Sequence, residues 1–115
     1  MPIGQDTMDA ELAGWTVEEQ DLARAVFERA HNREVDVLIE RLRQQVSALS
    51  SAAQIWELHD FLSLQRHGIE GRLEFRLEGL LFVFAGFVRD GLISLEELEG
   101  LSGDKRAKIS AMARF

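Results

Sequence analysis

Residues 17–49 read VEEQDLARAVFERAHNREVDVLIERLRQQVSAL, 33 positions without a glycine or a proline. Leu22, Val26, Ala30, Val35, Leu38, Leu42, Val46 and Leu49 recur mostly at steps of three or four, which puts them on one face of a helix. Thr16 and Glu19 have capping-box spacing at its start, and Glu18, Glu19 and Asp21 suit the positive end of its dipole. The sequence therefore predicts one unbroken helix over 17–49. At 1.5 Å per residue it would be roughly 50 Å long. A compact domain of this size is only about 35 Å across. Such a helix overhangs its own domain and leaves part of its apolar stripe for a second copy of the chain, so a homodimer is expected. A break near His31-Asn32, giving a helical hairpin within a monomer, is the alternative.

The rest of the chain reads as further helix. Ser51 and Gln54 form a second capping box and open a helix from Ala52 to about Ile69, with Gly68 and Gly71 bracketing its end. A third helix is expected from about Arg72 through Leu77, Leu80, Leu81, Phe84 and Val88, apolar nearly all round and hence central to the core. Gly91 is its stop. Ser94 with Glu97 is a third capping box, Ile93 and Leu98 have hydrophobic-staple spacing, and a short helix follows to Glu99. Ser102 opens a last helix carrying Ala107, Ile109, Met112 and Phe115. The predicted fold class is all-α: one long helix plus shorter helices in an elongated homodimer. Residues 1–14 are expected to be a flexible lead-in and 15–115 a single all-helical domain.

Composition narrows the function. Of 115 residues, 13 are Lys or Arg and 20 are Asp or Glu, so the net charge is -7. A nucleic-acid binder needs a basic face, and a membrane-surface protein a polybasic one, so no nucleic-acid partner is expected. The longest apolar run, Gly79–Val88, is half of what a bilayer crossing requires, and the N-terminal segment lacks a basic and apolar leader pattern. Neither membrane insertion nor export is expected, and the cytoplasm is the expected location. The chain has no cysteine, which removes disulfides, thiolate catalysis and cysteine zinc sites.

One helix face holds unusual chemistry. With Trp56 at zero and 100° per residue, His59, Asp60, Ser63, His67 and Glu70 fall within roughly 60° of it, and Arg66 about 80° away. Ile55, Leu58, Phe61, Leu62 and Ile69 take the opposite half. A tryptophan and an arginine among charged groups, off the apolar stripe, have the composition of a protein-interface hot spot. The plainer alternative is a Trp56 packed under a neighbouring element, with Asp60 paired to Arg66.

Catalytic and metal patterns are weaker. Ser63 with His59 or His67 has the residue types of a nucleophilic pair, but one exposed helix supplies neither oxyanion hole nor pocket. Glu28-x-x-His31 has di-iron spacing without the second pair such sites need. Asp90 to Glu97 mimics half an EF-hand loop, yet aligning it puts Gly86 and Val88 at ligand positions. No phosphate-binding glycine loop is present. No enzyme activity, cofactor or metal is expected.

The block Trp56-Glu-Leu-His-Asp-Phe-Leu-Ser-Leu-Gln-Arg-His67, with Gly-Ile-Glu-Gly-Arg72 after it, resembles the fluorescence recovery protein family of cyanobacteria. Leu81-Phe-Val-Phe-Ala85 and the segment from Asp104-Lys105 to Lys108-Ile109 also resemble it, and the likeness runs over about residues 20–115. The resemblance implies an all-helical homodimer that binds photoactivated orange carotenoid protein, speeds its return from red to orange, and ends phycobilisome quenching. It implies partner contacts at Trp56, His59, Asp60, Arg66, Phe82 and Lys108, and an apolar dimer contact at Ile55. Leu38, Leu42, Val46 and Leu49 of the long stripe are the other expected dimer residues. The family's Gly-Lys-Tyr-Asp segment is here Gly71-Arg72-Leu73-Glu74, so its tyrosine is missing, and Gly68 replaces a larger residue. A homologue outside the phycobilisome system, a dimeric helical module with another client, is the alternative reading.

Overall fold

A computed structural model describes residues 14–72 and 74–115. The expected lead-in, residues 1–14, lies outside them except for Gly14. Four α-helices follow in order: α1 (Val17–Ser47), α2 (Ala52–Glu70), α3 (Leu80–Arg89) and α4 (Gly103–Ala113), with a 3₁₀ turn at Leu95–Leu98 before the last. There is no strand among the described residues.

The long helix forms without a break at His31-Asn32 and ends at Ser47, two residues earlier than expected. Its capping box is complete. The Glu19 amide donates to Thr16 Oγ1 at 3.1 Å, and the Thr16 amide to Glu19 Oε1 at 3.0 Å. At α2 the Gln54 amide donates to Ser51 Oγ at 3.3 Å, but the Gln54 side chain accepts from the Ser50 amide at 2.6 Å instead of closing back on Ser51. The end of α2 falls between Gly68 and its cap Gly71, as expected. One glycine in a helix interior costs about 1 kcal/mol relative to alanine, which a well-capped helix absorbs, and α2 runs on to Glu70.

The third helix begins at Leu80, not Arg72. Phe75 and Leu77 both pack against the core, two residues apart as an extended segment places them rather than a helix. Gly79 at φ +75° then makes the turn into α3. The other end matches expectation. The Gly91 amide donates to the Val88 carbonyl and the Leu92 amide to the Phe87 carbonyl, a Schellman motif with Gly91 at φ +76°. No atom lies within 4 Å of a Cβ built on Gly91. Gly91→Ala therefore meets only the left-handed backbone cost and should destabilise by about 1 kcal/mol, read as a small fall in Tm.

The chain divides into two compact units. One comprises the chain up to Ala30 together with Phe75–Phe115. Its core is built from Ala23, Val26, Phe27 and Ala30 of α1 with Leu80, Phe84, Ala85 and Phe87 of α3, closed by Ile93, Leu98, Leu101 and Ile109. Phe27 meets the Phe75 ring edge-on at 5.5 Å and Phe87 at 6.3 Å, and such ring pairs add about 0.5–1.5 kcal/mol each beyond their buried area. The helix α3 is not buried all round: Phe82 is 70% exposed.

The second unit is His31–Glu74. Glu34 pairs with Arg72, and the Arg41 guanidinium sits 4.9 Å over the Phe61 ring. A low number on α1 thus meets a high one beyond or along α2, the register of an antiparallel hairpin closed by residues 48–51. No described residue of this unit is fully buried. The apolar stripe of α1 is fully buried only as far as Ala30; beyond it Val35, Leu38, Leu42 and Leu49 are half-buried and Val46 is 51% exposed.

Candidate partner-binding face

The helix α2 turns Phe61, Leu62, Leu58 and Ile69 inward to half-buried positions and leaves Trp56, His59, Asp60, Ser63, Arg66 and His67 exposed. Trp56 is 66% exposed, so it is not packed under a neighbouring element of its own chain. Asp60 does not pair with Arg66. The Arg66 Nε donates to Glu70 Oε1 at 2.9 Å, one turn on, and that carboxylate raises the guanidinium pKa. Asp60 Oδ1 lies 3.4 Å from His59 Nδ1. The face thus carries an open indole, a self-neutralised Arg–Glu pair and a carboxylate whose neighbour is a histidine.

The remaining expected site residues divide between the units. Phe82 on α3 and Lys108 on α4 belong to the first; Lys108 Nζ is 3.2 Å from Asp104 Oδ2, one turn back on its own helix. The expected dimer residues all lie in the second. Ile55 and Val46 are about half exposed, and Leu38, Leu42 and Leu49 are half-buried.

Two features escaped the sequence reading. Leu64 is 74% exposed and stands about 80° round α2 from Trp56, as far as Arg66 on the other side. Helix counting could have found it. Glu19 does more than cap α1 and face its dipole. It also accepts from the Ser102 amide at 2.8 Å and from Lys105 Nζ at 3.1 Å, and Lys105 lies 4.9 Å over the Trp15 ring. Glu19 is 6% exposed. Burial alone would push its pKa up, but the Thr16 and Ser102 amides and the Lys105 ammonium outweigh that and hold it below the usual value. This cluster fastens the start of α1 to the start of α4.

No group of three metal-ligating side chains occurs among the described residues. A shallow hollow of about 200 Å³ lies where α1 and α2 approach their connection, lined by Gln45, Ala48, Leu49, Gln54, Glu57 and Leu58. Its one ionisable side chain is Glu57. No described helix is long and apolar enough to cross a membrane.

The sequence that carries this exposed Trp, His, Asp and Arg on one helix, with the core helix and capped C-terminal helix after it, is matched along nearly all of its described length by one family profile. That profile, for the photoprotection regulator fluorescence recovery protein, covers residues 15–113. The chain belongs to the fluorescence recovery protein family. It is 41% identical over 103 residues to the fluorescence recovery protein of Synechocystis, spanning 90% of this chain and 94% of that one. The solved structure of the Fremyella diplosiphon fluorescence recovery protein matches with a TM-score of 0.81 at 40% identity, over 88% of this chain and 99% of that one. The Synechocystis structure matches with the same TM-score and identity. The fold and the photoprotection-regulator family are thereby fixed together.

Proposed function

We propose that this chain is a regulator without enzymatic chemistry or cofactor. It binds photoactivated orange carotenoid protein in the cytoplasm, speeds the return from red to orange, and so ends phycobilisome quenching. The observation that carries this reading is the open Trp56–His59–Asp60–Arg66 face in a chain of this family. No bond is made or broken. Tighter binding to one carotenoid-protein state than to the other shifts their populations. A tenfold faster return needs only about 1.4 kcal/mol of extra binding at the barrier. The test is the dark back-conversion rate of photoactivated orange carotenoid protein with and without this chain. Strong acceleration at substoichiometric amounts supports the reading. No acceleration with carotenoid proteins of several sources transfers the face to another client, the reading that the missing tyrosine at position 73 favours.

The acting species in this proposal is a homodimer. The support is the second unit, whose described residues include no fully buried side chain, while Ile39 and Val46 share one side of α1 and, with Ile55 of α2, stand 41–51% exposed. A second copy would cover such a surface. Ile55→Glu would bury an unpaired charge in that contact, which is costly. The mass by light scattering should fall from dimer to monomer with helix content retained. An unchanged dimer would move the interface off Ile55.

A further inference from the structure

Trp56, Asp60 and Leu64 follow one another at single helical turns. They form a ridge about 12 Å long on α2, with an open indole at one end, an open isobutyl group at the other and a carboxylate between them. Leu64 is the more exposed of the two apolar ends, 74% against 66%. A leucine and a tryptophan stand open on either side of one exposed carboxylate, and tryptophan is a residue type enriched at interface hot spots.

The charges near the ridge say what it lacks. Arg66 is already neutralised by Glu70. Asp60 faces only the His59 ring, and Glu57, three residues before it, makes no ion pair among the described residues. The uncompensated charge here is negative. A second copy of the chain is poorly equipped to supply the missing cation from its own hairpin. Arg66 is held by Glu70, Arg72 by Glu34, Arg43 lies 3.9 Å from Glu40, Arg41 covers Phe61, and Arg33 is engaged as well.

We propose that Leu64 is a further partner-contact residue. It and Trp56 are paired apolar anchors, and the occupant is a partner-protein surface carrying a guanidinium or ammonium group between two apolar hollows. This rests on reading the α2 face as partner-binding, and it specifies the chemistry of the partner. Anchors in a desolvated surround strengthen the charged contact between them by excluding water from it.

The two tryptophans provide the readout. Trp15 is 4% exposed and Trp56 66%, so acrylamide quenching reports Trp56. The probes are two synthetic amphipathic helical peptides with leucines eight residues apart, one with Arg and one with Glu midway. The Arg peptide should shield Trp56 and the Glu peptide should not. Leu64→Ala should weaken the Arg peptide by about tenfold or more, and salt should weaken binding by the unmodified chain. At this exposure the substitution leaves folding intact, checked by an unchanged Tm. Equal protection by both peptides, protection by neither, or an unaltered Leu64→Ala variant overturns the proposal. So does quenching that falls with the chain's own concentration, which would seat a second copy on the ridge. In a parallel arm, Leu64→Ala should raise the concentration that half-saturates orange carotenoid protein back-conversion by about the same factor. If the unmodified chain leaves that rate unchanged, the carotenoid-protein reading fails, and the peptides still decide the ridge.

Discussion

Glu19→Ala should lower the melting temperature by more than about 10 °C. The carboxylate accepts from two backbone amides and from an ammonium that is itself only 13% exposed. Its removal leaves Lys105 in a largely closed site without its counter-ion and strands the Thr16 and Ser102 amides. Breaking a buried pair from one side costs about 3–5 kcal/mol, and each kcal/mol moves Tm by about 4 °C at this chain length. The pH dependence has a definite sign. The folded pKa of Glu19 is lowered, so its stabilisation is present above the unfolded value, near 4.3, and disappears as pH falls through the folded value. The unmodified chain should lose this stabilisation in acid below about pH 4. The Glu19→Ala variant, already without it, should show a flatter acid limb. Thermal melts by circular dichroism between neutral and acid pH check both statements. Parallel acid limbs would remove Glu19 from the account.

Which parts of this molecule were legible in its sequence follows from the range of the forces involved. The capping residues Thr16, Ser51, Ser94 and Ser102 were readable because a cap is settled within four residues. The stop at Gly91 was readable for the same reason. The start of α3 was not. Phe75 and Leu77 have apolar side chains that suit a helix or an extended pair equally well, and the core, assembled from distant segments, selects the extended form. The role of Glu19 was half legible. Its bond to Thr16 spans three residues, but the bond to Lys105 spans 86, and no spacing rule reaches that far. The α2 face was readable by counting, because an amphipathic helix displays its own inside and outside. What counting could not settle was the pairing on that face. Asp60, Arg66 and Glu70 allow more than one ion pair, and geometry gives Arg66 to Glu70.

That pairing sets up the last prediction. Asp60→Leu should abolish any acceleration of orange carotenoid protein recovery while leaving helix content and assembly mass unchanged. The fold has no stake in this carboxylate: its side chain is 80% exposed and, among the described residues, pairs only with His59. Leucine is also the better helix former by a few tenths of a kcal/mol, so α2 should be slightly firmer in the variant. The interface has a large stake. Truncating one partner of a desolvated charge pair costs about 2–5 kcal/mol, because the opposite charge is left buried and unmet. That is a loss of about thirtyfold to several thousandfold in affinity. The substitution also separates two accounts of the face. With Trp56 before it and Leu64 after it, leucine at position 60 would make three successive turns apolar. A partner that reads the ridge through hydrophobic burial alone would then bind more tightly, and recovery would accelerate at lower protein concentration. A partner that must place a cation between two apolar anchors would be lost. Back-conversion rates titrated against the variant and the unmodified chain, at low and high salt, distinguish these outcomes. The charge-reading ridge requires that the unmodified chain be salt-sensitive and that the variant show no binding left for salt to modulate.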